Sequence, residues 1–190
     1  GPRGAAQKSA PIHCGENGRC VEELTKQVRT EPMSKEYTVA FIGCGKRAAQ
    51  HIPGVQAESR CRVVAAADIK LEAAEALAGE FDSAPAVFSD HKTMLAEAKP
   101  DIVITCLWTP LHLPVLRDCV EAGVRAVPSE KPMAPTWGDC LEMDRLAAEA
   151  GCQLTFCHQR RFKRGNLLAR ELIGQGVFGR IIRMDLYSPK

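Results

Sequence analysis

From Tyr37 onward, short apolar runs alternate with longer stretches in which apolar residues recur every three or four positions. The runs YTVAFIG, CRVVAAA and DIVITC are largely apolar, as expected of strands buried on both faces, and the stretches between them carry a single apolar stripe each. Strands are predicted over residues 37–43, 61–67, 85–88, 101–106, 124–128 and 153–157. The stripes are Leu71, Ala74, Leu77 and Ala78, then Leu113, Leu116, Cys119 and Val120, then Cys140, Met143, Ala147 and Ala150. Alternation of this kind specifies an α/β fold, a doubly wound parallel sheet covered by helices on both faces. Gly123 and Gly151 stand where helices should stop, Pro135 suits a helix first turn, and Pro53 should kink or end the first helix early.

Both ends of the chain depart from this pattern. Residues 1–32 carry little periodicity beyond a short helical stripe from Cys20 to Arg29 and read as appended. Met33 directly precedes SKEYTVAFIG, so translation is expected to start there, with 1–32 upstream read-through or non-native sequence. Residues 33–158 make up the main domain. After it, RRFKRGNLLARELIGQGVFGR reads as a basic, Gly-punctuated helical stretch and RIIRMDLYS alternates like a strand of another sheet. A strand without a later partner would leave an open edge. Residues 159–190 are therefore expected to begin a truncated second domain of a longer protein.

The most specific chemistry lies at the end of the first strand. In GCGKRA, Gly43 permits a tight turn, Gly45 lets backbone approach a pyrophosphate, and small Ala48 lets the helix sit close to the sheet. Amide groups at the helix start, from Lys46 and Arg47 on, then face the phosphates. Asp68 ends the second strand 25 residues after Gly43, near the spacing of the acid that hydrogen-bonds the adenosine ribose. Strand, glycine turn, helix, strand and acid together predict a dinucleotide-binding unit for NAD, with NADP allowed by Lys70 two residues beyond the acid.

Composition narrows the partners. The 190 residues are 45% apolar with a formal net charge of +2, from 25 basic and 23 acidic residues spread along the chain. No basic footprint for nucleic acid stands out, no apolar run reaches the ~20 residues of a membrane span, and no leader pattern opens the sequence. A small-molecule partner and a cytoplasmic location are expected. The nine cysteines are odd in number and fall mostly on predicted strands and helix faces, against a disulfide framework. His13, Cys14 and Cys20 are the one grouping that hints at a metal. They lack C-x-x-C spacing and a second ligand pair, so no metal site is expected.

A second set of motifs follows the fourth, fifth and sixth strands: LWTPLH, SEKP and HQRRF. The carboxyl ends of parallel strands are where open α/β sheets bind ligands. Thr109 and Pro110 can turn rigidly against a cofactor, and His112 opens the next helix as a contact residue. Glu130 can accept hydrogen bonds from ribose hydroxyls, and Lys131 can point an ammonium at the hydride-transfer centre. His51 and His91 belong to no motif and read as surface or packing residues. Trp108 and Trp137 are compatible with either cofactor cover or packing.

In order and spacing, GCGKRA, Asp68, TPLH, EKP and the R-R-F after His158 resemble the Gfo/Idh/MocA family of oxidoreductases over about residues 37–190. The resemblance implies a Rossmann domain followed by an α+β domain that often mediates homo-oligomerisation, and NAD(P)-dependent hydride transfer on a sugar, polyol or related small molecule. It further implies that Gly43, Gly45 and Lys46 to Ala48 hold pyrophosphate, that Asp68 reads the ribose, and that Thr109 to His112 line the cofactor. Glu130 and Lys131 then reach the nicotinamide end, Lys131 is catalytic, and His158 and Arg161 face the substrate. The acid/base residues of the family's second domain fall beyond Lys190, leaving half an active site. Two rival readings are an NAD-dependent glycosidase of the same family and a non-catalytic dinucleotide-binding module. One departure stands out: in RAVPSEKP, Pro128 removes a backbone donor from a strand that should be interior, which puts the positioning of Lys131 in question.

Overall fold

Six strands form one parallel sheet: β1 (Tyr37–Ile42), β2 (Cys61–Ala67), β3 (Ala86–Phe88), β4 (Ile102–Thr105), β5 (Ala126–Ser129) and β6 (Gln153–Phe156). Their order across the sheet is β3-β2-β1-β4-β5-β6. The computed structural model describes residues 35–185 and 187. The stripe from Cys20 to Arg29, the His13, Cys14 and Cys20 grouping and the expected start at Met33 lie outside the described residues. The sheet belongs to the compact unit that starts at Glu36.

β1 explains why the sheet is layered on both sides. Val39, Ala40, Phe41 and Ile42 are all buried, and successive side chains of a strand point to opposite faces. Ala40 and Ile42 join a cluster with Met94, Leu95, Val115, Leu116 and Met143. Val39 and Phe41 join another with Ala48, Ile52, Ala74 and Leu77. The first face is covered by α4 (His91–Ala98), α5 (His112–Glu121) and α6 (Trp137–Ala150), the second by α1 (Lys46–Ala49), α2 (Ile52–Gln56) and α3 (Leu71–Ala78). Each predicted stripe delivers residues to the core, among them Ala74, Leu77, Leu116, Cys119, Met143 and Ala147, while Leu71 and Ala150, at helix ends, stay exposed. On β6, Leu154 and Phe156 pack inward and Gln153 and Thr155 face outward.

Two prolines act locally. The first helix breaks after Ala49, and Pro53 sits in the first turn of α2, where its missing N–H costs nothing. Pro128 leaves β5 interior, between β4 and β6. Ala126 N–H donates to the Asp101 carbonyl and Glu130 N–H to that of Thr105. That alternation sets Pro128 opposite the Val103 carbonyl, so one ladder bond is absent while the bond just before Lys131 stays in place.

Three expectations need correction. Pro135 precedes α6 and is not in its first turn; Thr136 is the cap, its hydroxyl accepting from Asp139 N–H at 3.1 Å. The basic stretch after β6 is a 3₁₀ turn (Gln159–Phe162) followed by α7 (Arg164–Gly174), and the helix ends there. RIIRMDLYS forms no strand among its described residues; alternation specifies which side chains share a face, but a strand also requires a ladder partner. Leu167, Leu168, Val177, Phe178 and Ile182 are exposed.

Candidate functional site

The crevice lies at the carboxyl ends of β1 and β4, where the chain turns to opposite sides of the sheet. Gly43 leaves β1 at φ +85°, and a Cβ built there would lie 2.5 Å from the Cys106 carbonyl oxygen. The glycine is thus required by the approach of the turn to the end of β4 as well as by its backbone conformation. Gly45 differs: its φ of −78° suits any residue, and a Cβ there would meet nothing within 4 Å. Open space beside a backbone with no side-chain cap fits a phosphate group approaching closely.

Asp68, at the end of β2, faces this turn. Its Oδ2 accepts from Cys44 N–H at 2.7 Å and its Oδ1 from Lys70 N–H at 2.9 Å. The carboxylate therefore fixes the turn, and each oxygen keeps a lone pair for a ribose hydroxyl. Cys44 itself is buried beneath the turn. Burial, and secondly the Asp68 charge, push its thiol up to about 12.

Across the crevice, Cys106, Leu107, Trp108 and Thr109 line a cleft of about 450 Å³ with Arg47, Glu130 and Lys131. Thr109 and Pro110 open the 3₁₀ turn Thr109–Leu111 that leads into α5. His112 lies inside this wall and not on its surface. It is 2% exposed, with Nδ1 3.0 Å from the Met133 carbonyl and Nε2 3.1 Å from that of Leu107. The ring therefore ties the loop after β4 to the segment after Lys131, a positioning contact in place of the expected surface one. Trp108 borders the cleft, whereas exposed Trp137 opens α6.

Glu130 is buried and charge-balanced. Its Oε1 lies 2.9 Å from His51 Nε2 and its Oε2 3.7 Å from Arg47 Nε. Lys131 is exposed, with no ion-pair partner among the described residues. With Arg47 it forms the border to a second cleft of about 630 Å³, walled by Cys157, His158, Gln159, Arg160 and Arg161. Lys131, His158 and Arg161 thus share one cleft. Buried Ser129, just before Glu130, has a hydroxyl without a hydrogen-bond partner.

His51 and Cys157 escaped the reading of the sequence. His51 reaches Glu130 across 79 positions, and no spacing rule connects them. Cys157 had an available signal, because it directly follows β6 at the same ligand edge as His158.

A doubly wound parallel sheet, a glycine turn at its switch point and an acid ending β2 define a dinucleotide-binding domain of the Rossmann class. Residues 37–158 match the oxidoreductase family with an NAD-binding Rossmann fold, Gfo/Idh/MocA, and the chain belongs to that family. It is similar to the D-glucoside 3-dehydrogenase of Escherichia coli (strain K12), 33% identical over 149 residues, covering 78% of this chain and 42% of that protein. Glycosyl hydrolase family 109 protein 1 of Akkermansia muciniphila is 25% identical over 159 residues, 80% of this chain and 33% of that protein. Among solved structures, the WlbA dehydrogenase from Bordetella pertussis in complex with NADH and UDP-GlcNAcA has a TM-score of 0.71 at 31% identity, over 77% of this chain and 44% of that one. The chain spans less than half the length of each of these relatives.

Proposed function

We propose that the complete protein is an NAD-dependent oxidoreductase that moves hydride between the nicotinamide and a hydroxyl or carbonyl carbon of a sugar, polyol or related small molecule. The carrying observation is the Lys131 ammonium, unpaired among the described residues, at the border of two clefts that both also include Arg47, two residues after Gly45. Kinship to a glucoside dehydrogenase and to a dehydrogenase crystallised with NADH and a nucleotide sugar supports the substrate class.

NAD, when bound, supplies the hydride acceptor. In this reading Gly43, Gly45 and Lys46 to Ala48 receive the pyrophosphate and Asp68 the adenosine ribose. Thr109 and Pro110 line the nicotinamide side, and His112 holds that wall in place. Glu130, fixed by His51 and Arg47, sets the backbone from which Lys131 projects. Lys131 hydrogen-bonds the substrate hydroxyl and exchanges its proton, while His158 and Arg161 hold the substrate's polar groups. Residues 159–190 begin a second domain, which supplies the partner acid/base group and the homo-oligomer contact. The cysteines, free among the described residues, suit a reducing compartment such as the cytoplasm, and no described helix is long and apolar enough to cross a membrane.

The reading is tested in the complete protein with a panel of sugars and polyols. Lys131→Ala should lower turnover roughly 10²- to 10⁴-fold and leave NADH affinity within a few-fold; full activity in the variant sinks the catalytic role. NADH should bind more tightly than NADPH, since a 2′-phosphate beside Asp68 meets like charge; the opposite order removes Asp68 as ribose reader. The relative of glycosyl hydrolase family 109 supports a second reading, glycoside cleavage through transient oxidation. Cofactor retained through purification, with glycoside cleaved and no net NADH formed, would favour it.

A further inference from the structure

Three elements bring three different donor groups to one point on the ligand edge. His51 caps the start of α2, Glu130 follows β5 and Cys157 follows β6. The imidazole nitrogen, carboxylate oxygen and thiol sulfur all lie within 4.8 Å of one another. The sheet itself fixes two of them: β5 and β6 pair with Ser129 opposite Phe156, and Cys157 N–H donates to the Ser129 carbonyl at 2.9 Å. The break between α1 and α2 directs the third, His51, back onto Glu130.

The donor set has the chemistry of a borderline-soft cation. Thiolate, imidazole and carboxylate select zinc over magnesium or calcium, which take oxygen ligands in larger numbers. Thiolate and carboxylate together balance a charge of +2. Zinc bonds of about 2.0–2.3 Å to such donors set tetrahedral neighbours about 3.3–3.6 Å apart, so the present spacing, within 4.8 Å, lies close to that of a bound shell. The two oxygens of Glu130 are already divided. Oε1 faces His51, while Oε2 faces Arg47. The guanidinium can therefore keep orienting the carboxylate while Oε1 binds the ion, as outer-shell partners of metal ligands do.

We propose that His51, Glu130 and Cys157 form a binding site for a divalent cation of the zinc class, open on its fourth side to the clefts beside Lys131. Glu130 lines one cleft and Cys157 the other, so water or a hydroxyl-bearing ligand can complete the shell. Three protein ligands with an open fourth position distinguish this arrangement from a closed structural site. It departs from the expectation of no metal, and it stands whether or not Lys131 is catalytic.

The test uses the 190-residue chain, reduced with a phosphine and carrying His13→Ala, Cys14→Ala and Cys20→Ala so that those side chains contribute nothing. Cobalt(II) is titrated in and displaced by zinc(II). One equivalent should bind with the visible bands of a four-coordinate ion and a thiolate charge-transfer band in the near ultraviolet. Cys157→Ala should abolish the charge-transfer band. His51→Ala and Glu130→Gln should weaken binding at least tenfold, and Cys140→Ala, on α6, should leave it unchanged. Circular dichroism checks that each variant is folded. A measurement that needs none of the site variants is zinc X-ray absorption on the one-equivalent complex, which should show a single sulfur at about 2.3 Å with lighter donors at about 2.0–2.1 Å. A shell without sulfur, no binding at one equivalent, or a thiolate band that survives Cys157→Ala would overturn the proposal.

Discussion

Gly43 and Gly45 stand two residues apart in one turn and are glycine for different reasons. At Gly43 a side chain meets strain at φ +85° and the backbone of Cys106, so Gly43→Ala should destabilise the fold by about 1–3 kcal/mol, read as a lower urea midpoint. Gly45→Val has room, so its fold should survive with an unchanged midpoint while NADH affinity falls more than tenfold; equal binding in a fluorescence titration would remove the phosphate assignment. The buried thiols supply a pH dependence. Burial first, and neighbouring charges second, hold Cys44 and Cys106 near 12, and burial does the same for Cys119, against an ordinary value of 9.0. A raised folded value means that the unfolded chain loses these protons first. Stability from this source is therefore complete below pH 9 and is lost as pH rises from 9 towards 12. Urea midpoints across that range should fall, and Cys119→Ala should flatten the slope. At this scale the sequence disclosed the glycines, Asp68, Glu130 and Lys131, whose types and order carry their chemistry. It hid His51, whose role exists only because the sheet brings β1 and β5 within reach, and it could not show that His112 turns inward.

The strands were legible because an interior strand is an uninterrupted apolar run, and the helices because their stripes repeat. Boundaries were less so. Pro135 drew attention away from Thr136, whose hydroxyl satisfies an otherwise unpaired amide of α6. Thr136→Ala should therefore cost about 0.5–2 kcal/mol, measurable as a lower thermal midpoint, and Thr136→Ser should restore it. RIIRMDLYS misled for the opposite reason. Its alternation is real, but pairing is a property of two strands and cannot be read from one. Pro128 shows how an element tolerates a local fault: the bond opposite Val103 is absent, yet bonds on either side keep β5 in register.

For the whole molecule, the order of the strands makes the site: a turn after β1 and loops after β4, β5 and β6 meet because all strands run parallel and the strand order reverses between β1 and β4. The resulting clefts share Arg47 and Lys131, so groups distant in the chain become one surface. The 190-residue chain should consequently bind NADH, and should show no turnover on the same substrate panel if the acid/base partner of Lys131 comes from the second domain proposed above. The buried cysteines add something else. Cys44 lies under the glycine turn, Cys119 in α5 and Cys152 before β6, so three separate regions of the fold carry a natural clock. A thiol whose titration is pushed up by burial reacts only when its surroundings open, which makes its labelling rate a measure of local opening. Pulsed alkylation followed by mass spectrometry should find Cys119 labelled at the rate of global unfolding. Cys44 should label faster in the free chain and should slow selectively when NADH is added. A uniform slowing of all three sites would instead mean that the cofactor stabilises the fold as a whole and that the glycine turn does not open by itself.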